Sequence, residues 1–164
     1  MNAQSFAGRA EFHRALIATL GWAAEQGCRE LHAWDESFAD WPLSQADALT
    51  ALTAWARAGR QLHLLALQYD DVVRVHPRFV RWRRDWAHCV TARAVEPELR
   101  LEEAPQSLLL ALGPQGSVSL RLFDRHLWRG ELSLETAQRQ RCLEWFDALA
   151  QRSSESFAPT TLGL

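Results

Sequence analysis

The chain has 164 residues, 48% of them hydrophobic and 23% charged, with a formal net charge of -2. That length supports one domain with a real core and is too short for two comfortable ones, and the composition argues against a chain that is disordered throughout. So small a net charge gives no overall pull toward nucleic acid or an anionic membrane, so either partner needs a local patch.

All eighteen basic residues are arginine. Codon usage in a GC-rich genome explains this more simply than a chemical need for guanidinium, but the consequence is firm. Schiff-base chemistry and a phosphate-loop lysine are excluded. Cys28, Cys89 and Cys142 are odd in number and widely spaced, with neither a metal-ligand pattern nor a disulfide framework. A reducing cytoplasm is the expected location, with Cys28 and Cys89 acting as small buried hydrophobes. Arg9, Glu11, His13 and Arg14 interrupt the start, and no apolar run approaches a membrane span, so neither export nor insertion is expected.

Residues 1–8 read as a frayed or weakly paired lead-in. From Arg9 to Gln26, Phe12, Leu16, Thr19, Leu20 and Ala23 follow a helical period, and Gly27 supplies the stop. Between Glu30 and Val95 the pattern alternates regularly. Strands are predicted at Glu30–Asp35, Gln61–Gln68 and Cys89–Val95, with helices at Ser44–Arg57 and Asp71–Trp86. Strands separated by helices pair in parallel, because no tight turn reaches a parallel neighbour. Ser44 and Asp47 suggest a capping box, and Pro77 predicts a helix break near His76. The segment 96–106 reads as an exposed connection. Gly113-Pro-Gln-Gly116 then joins two strands, 107–112 and 118–123, as a hairpin with a four- or five-residue loop. Asp124–Glu131 reads as a turn or edge segment, and a last helix opens at Ser133 or Leu134. The expected fold class is α/β: a single domain over 1–152 with a mixed, mostly parallel sheet and flanking helices, and an extended C-terminal tail over 153–164.

Trp41-Pro-Leu43, Ala58-Gly-Arg60, Leu62-His-Leu-Leu65, Val75-His-Pro-Arg-Phe79, Trp82-Arg-Arg84 and Arg93 occur in an order that resembles the half-barrel unit of the phospholipase D-like superfamily. The terminal Pro159-Thr-Thr-Leu-Gly-Leu164 resembles the ending of a small branch of uncharacterised bacterial proteins within it. The resemblance implies a unit that often works as a pseudo-twofold pair. It also implies phosphodiester chemistry resting on the signature His-x-Lys-x4-Asp, and this chain departs from it. Two residues after His13, His32, His63, His76, His88 and His126 come Ala15, Trp34, Leu65, Arg78, Val90 and Trp128. His76 alone keeps a cation at the second position, with Arg83 where aspartate is required. The implied reading is a degenerate, non-catalytic member, with no cofactor and no metal expected.

Two regions remain as candidates. The loop after the first strand carries Asp35, Glu36 and Trp41 where open α/β sheets usually bind ligands; the simpler reading tucks Phe38 and Trp41 under the sheet edge. The stretch around the second helix offers Arg74, His76, Arg78, Arg81 and Arg84, interleaved with Phe79, Trp82 and Trp86, as an anion site able to hold phosphate or stack on bases. The leading expectation is a binding or interaction module, with a protein partner or self-association suggested by eight tryptophans. The alternatives are a phosphate-ester hydrolase with a rearranged site built on His76, Arg78 and Asp71, and a nucleic-acid or nucleotide binder using the Arg74–Arg84 helix.

Overall fold

A computed structural model of the protein describes residues 1–99 and 104–159. Its spine is one sheet flanked by helices. Strands β1 (Gln4–Phe6), β2 (Glu30–Asp35), β3 (Gln61–Ala66), β4 (Val90–Val95), β5 (Ser107–Gly113), β6 (Gly116–Asp124), β7 (Arg129–Ser133) and β8 (Ser153–Glu155) lie in the order β1-β7-β6-β5-β2-β3-β4-β8. Helices α1 (Arg9–Gln26), α2 (Ala46–Trp55), α3 (Asp70–Val75), α4 (Pro77–Asp85) and α5 (Thr136–Ala150) connect and cover it.

The α/β class and the single mixed sheet agree with the sequence. The share of parallel pairing does not. Among the described residues β2–β3 and β3–β4 are parallel, whereas β1–β7, β7–β6, β6–β5, β5–β2 and β4–β8 are antiparallel. The helical crossovers that lead to parallel pairing lie between residues 30 and 95; beyond them the β5–β6 and β6–β7 connections are short turns, which give antiparallel neighbours, and β1, β5 and β8 meet β7, β2 and β4 antiparallel from distant parts of the chain.

The alternation of each strand divides its side chains between two faces. Leu31 and Ala33 of β2, Leu62 and Leu64 of β3 and Leu109 and Ala111 of β5 join Phe12, Leu16, Leu52, Trp55, Phe79 and Trp82 in the main core. Helices α1, α2 and α4 therefore share one face. On the other, α5 alone contributes Cys142, Phe146 and Leu149 against Leu65, Val95, Leu108 and Leu110. Helix α1 ends as predicted: Gly27 adopts φ 66°, where a residue with Cβ is strained, and its N–H caps the last turn.

Two local expectations are corrected. The β5–β6 hairpin turns on Pro114 and Gln115 alone, because Gly113 and Gly116 are themselves a paired position. No side chain caps α2, whose flanking residue is Gln45 rather than Ser44; the Ser44 hydroxyl is used elsewhere. The break predicted near His76 is present: the helical stretch from Asp71 divides into α3 and α4, which meet at His76 with φ -123° and ψ 67°. Val75, just before the break, is 41% exposed, whereas Phe79 and Trp82 beyond it are buried. The final residues of the resembling motif, Thr160–Leu164, lie outside the described residues, while Ser153–Glu155 is extended and pairs with β4.

No helix among the described residues is long and apolar enough to cross a membrane. The three cysteines are buried and free, and burial pushes the Cys28 and Cys89 thiols above their ordinary range, as suits packing rather than reactivity.

Candidate functional site

The loop that leaves β2 is built around Asp35, whose side chain is only 1% exposed. Its Oδ2 accepts from the backbone N–H groups of Ser37 at 3.1 Å and Phe38 at 2.7 Å. Phe38 is held at φ 60°, an unfavourable conformation for a bulky residue, with its ring buried against Trp41. The other oxygen, Oδ1, accepts from Arg125 Nη2 at 2.6 Å, while Arg125 Nη1 donates to Asp40 at 3.1 Å. Burial opposes charge on Arg125, but the Asp35 and Asp40 carboxylates outweigh it and hold the guanidinium above its ordinary pKa.

Two histidines grip the same loop from opposite sides. His13 of α1 donates through Nε2 to the Asp40 carbonyl at 2.6 Å. His76, at the α3–α4 break, donates through Nε2 to the Ala39 carbonyl at 2.8 Å and accepts at Nδ1 from the Ser44 hydroxyl at 2.5 Å. Trp41 is buried, with its Nε1 donating to Ser107 Oγ at 2.8 Å. Glu36 alone of the three loop candidates reaches solvent, and its carbonyl accepts from Leu67 and Gln68. The crevice position after β2 is thus filled by the protein's own side chains. Sequence reasoning missed Arg125, His13 and Ser44 here, because their partners lie 27 to 90 residues away along the chain.

The predicted anion site divides. His76 is 6% exposed and committed to the loop, so it does not share a pocket with Arg78 and Asp71; Asp71 pairs with Arg74 at 3.3 Å and accepts from Gln68. Arg74, Arg78, Arg81 and Arg84 are exposed together along α3 and α4. Among the described residues Arg84 pairs only with its neighbour Asp85, at 3.8 Å. Arg78 and Arg81 have no ion pair among the described residues. Two of the three aromatics predicted to interleave with them are not available for stacking: Phe79 and Trp82 are 3% and 6% exposed and lie in the core, while Trp86 is half-buried. Among the described residues the exposed large apolar side chains are Met1, Val73, Val75, Phe123, Leu127 and Leu134, with no tryptophan among them.

A third cluster appears on the α5 face. Glu30 and His32 are two apart on β2, and parallel register places His63 of β3 directly beside His32. One ligand-capable atom from each lies within 4.8 Å of the others. The sequence reading expected no metal ligands, although the two strands carry the same Leu-His pair at the same offset.

No protein-family model matches the chain, and no curated protein matches it. Solved structures do. NucT from Helicobacter pylori aligns over 94% of this chain and 99% of its own at 8% identity and TM-score 0.60. The phospholipase D family member Nuc from Salmonella typhimurium aligns over 94% and 97% at 10% identity and TM-score 0.60. TrmBL2, an archaeal chromatin protein with a novel mode of DNA binding, aligns over 95% of this chain at 10% identity and TM-score 0.59, and the chain spans 54% of its length. The fold is phospholipase D-like.

Proposed function

We propose that the protein is a non-catalytic phospholipase D-like binding module, and that its ligand is a phosphate-bearing polymer held by Arg74, Arg78, Arg81 and Arg84. The observation that carries this reading is the exposure of all four arginines along α3 and α4, with Arg78 and Arg81 unpaired among the described residues. On a chain of net charge -2, such a row is the local patch that a polyanion needs. Guanidinium forks suit phosphate oxygens, and with Phe79 and Trp82 buried in the core the reading is of recognition by backbone charge more than by stacked bases. The likeness to a DNA-binding chromatin protein of the same fold is compatible with it.

The test is fluorescence anisotropy with labelled double-stranded DNA across a salt series. The expected result is binding that weakens with salt, the log–log slope falling by about 0.9 for each phosphate contact removed. Charge reversal at both Arg78 and Arg81 is expected to abolish it. Binding at low salt that survives the double reversal, or no binding at all, would overturn the reading.

What weighs against the phosphate-ester hydrolase alternative is that both ring nitrogens of His76 are bonded to loop atoms and that the chain lacks lysine. A second reading, a protein partner or a second copy of the chain, has its own support in Phe123 and Leu127, which stay 46% and 52% exposed around the β6–β7 connection. Light scattering across a dilution series tests the self-association form.

A further inference from the structure

The Glu30, His32 and His63 side chains occupy the margin of the α5 face. Glu30 Oε2 lies 2.5 Å from His63 Nε2, and the His32 and His63 rings stack at 4.7 Å. Phe146 of α5 meets the His32 ring edge-on at 4.8 Å and closes the inner side. On the outer side Glu30 and His63 keep 44% and 32% of their side-chain surface open. His32 is 8% exposed, and its Nδ1 is buried without a hydrogen-bond partner. A buried imidazole nitrogen left unpaired calls for an explanation. The Glu30–His63 pair alone does not supply one, because it makes no use of His32.

We propose that Glu30, His32 and His63 form a binding site for a divalent transition-metal ion of the zinc class. Three features of the cluster carry this. The donor set is two imidazoles and one carboxylate, which suits zinc and its first-row neighbours and does not suit calcium or magnesium. The donors come from neighbouring strands whose register is fixed by the ladder, so their Cα positions are set before any ion arrives. Metal bonds of about 2.0–2.2 Å draw the outermost donors together by roughly an ångström, a side-chain adjustment. Beyond the ligands, Thr91 Oγ1 lies 3.1 Å from His63 Nδ1, so that Nε2 points at the carboxylate, the support a ligand histidine usually receives through its second nitrogen. Three protein ligands and an open outer side leave positions for solvent. The site is on the opposite sheet face from the main core and independent of the arginine row.

The experiment uses the full chain, stripped with a chelator that is then dialysed away. Zinc chloride alone is titrated by calorimetry, and cobalt(II) is followed by its visible absorption. The expected result is one equivalent bound, a raised melting temperature, and cobalt bands of low coordination number. His63→Ala and Glu30→Gln, both at half-open positions, are expected to weaken zinc at least tenfold, and Thr91→Val about tenfold. His32→Ala completes the set, but the two open-position variants decide the matter if its burial makes it fold poorly. His88→Ala and His126→Ala, at exposed histidines outside the cluster, serve as controls and are expected to bind zinc unchanged. Absence of a stoichiometric zinc event, or one that persists in His63→Ala or vanishes in His88→Ala, would overturn the proposal.

Discussion

Asp35 shows how a single carboxylate can look like a ligand-binding group in the sequence and be a structural anchor in the fold. Both of its oxygens are engaged, one by Arg125 and the other by two loop N–H groups. Removing it leaves a half-buried guanidinium with Asp40 as its remaining carboxylate partner among the described residues and frees Phe38 from a conformation it does not favour. Asp35→Ala is expected to cost stability toward the lower end of the roughly 3–5 kcal/mol typical of a broken buried pair, read as a reduced midpoint in urea unfolding. Asp35→Asn should also destabilise, because it keeps the shape but not the charge. His13 makes a prediction in pH. Burial first, then the Arg9 and His76 charges, lower its pKa, while the Asp40 carbonyl and carboxylate oppose them. The unfolded chain therefore takes up the proton at higher pH than the folded one, and stability falls as pH drops below about 6.5, the ordinary histidine value. His32, held down to about 4 by burial and then by His63, acts in the same direction. Melting temperatures of metal-free protein from pH 8 to pH 5 should decline, and His13→Asn should flatten part of that decline.

At the scale of elements, the outcome follows from how far each signal travels along the chain. Helix α1 was legible because Phe12, Leu16, Leu20 and Gly27 declare a period and a stop within eighteen residues. The break at His76 was legible because proline acts on its own neighbours. Strand β7 was not, since Arg129-Gly-Glu-Leu-Ser133 has weak strand propensity and is held by β6 on one side and β1 on the other. Its Gly130 faces Phe6, and a Cβ there would overlap the Phe6 ring and the Arg121 carbonyl oxygen. Gly130→Ala is expected to lose about 1–3 kcal/mol by overpacking, and amide exchange should quicken in Gln4–Phe6 before it does in β5. The same distinction governs the sites. The arginine row is a helical pattern that any reader of the sequence sees. The Glu30, His32 and His63 cluster needs the β2–β3 register, which only the equal offset of Leu31-His32 and Leu62-His63 hinted at.

For the whole molecule, the decisive question is how an eight-stranded open sheet protects its ends. Both edges are three-residue strands, β1 beside β7 and β8 beside β4, which is one of the ways proteins blunt an edge against pairing with another chain. The β8 side is tied by more than its ladder. Arg93 donates to Ser153 Oγ at 2.7 Å and to its carbonyl at 2.6 Å. Two residues beyond β8, Phe157 stacks on Tyr69 at 5.2 Å and lies under the Arg83 guanidinium at 5.7 Å. A chain ending at Arg152 is therefore expected to suffer twice. It loses the Phe157 packing, on the order of 2–4 kcal/mol for a large apolar side chain, and it uncovers the β4 ladder, so that larger species appear in light scattering. Phe157→Ala separates the two effects, since it removes the ring and leaves β8 paired: the melting temperature should fall while the protein keeps the size of the full-length chain. If the shortened chain instead melts and sizes like the full one, residues 153–159 are an appendage, and the β4 edge must be protected by its own twist and charge.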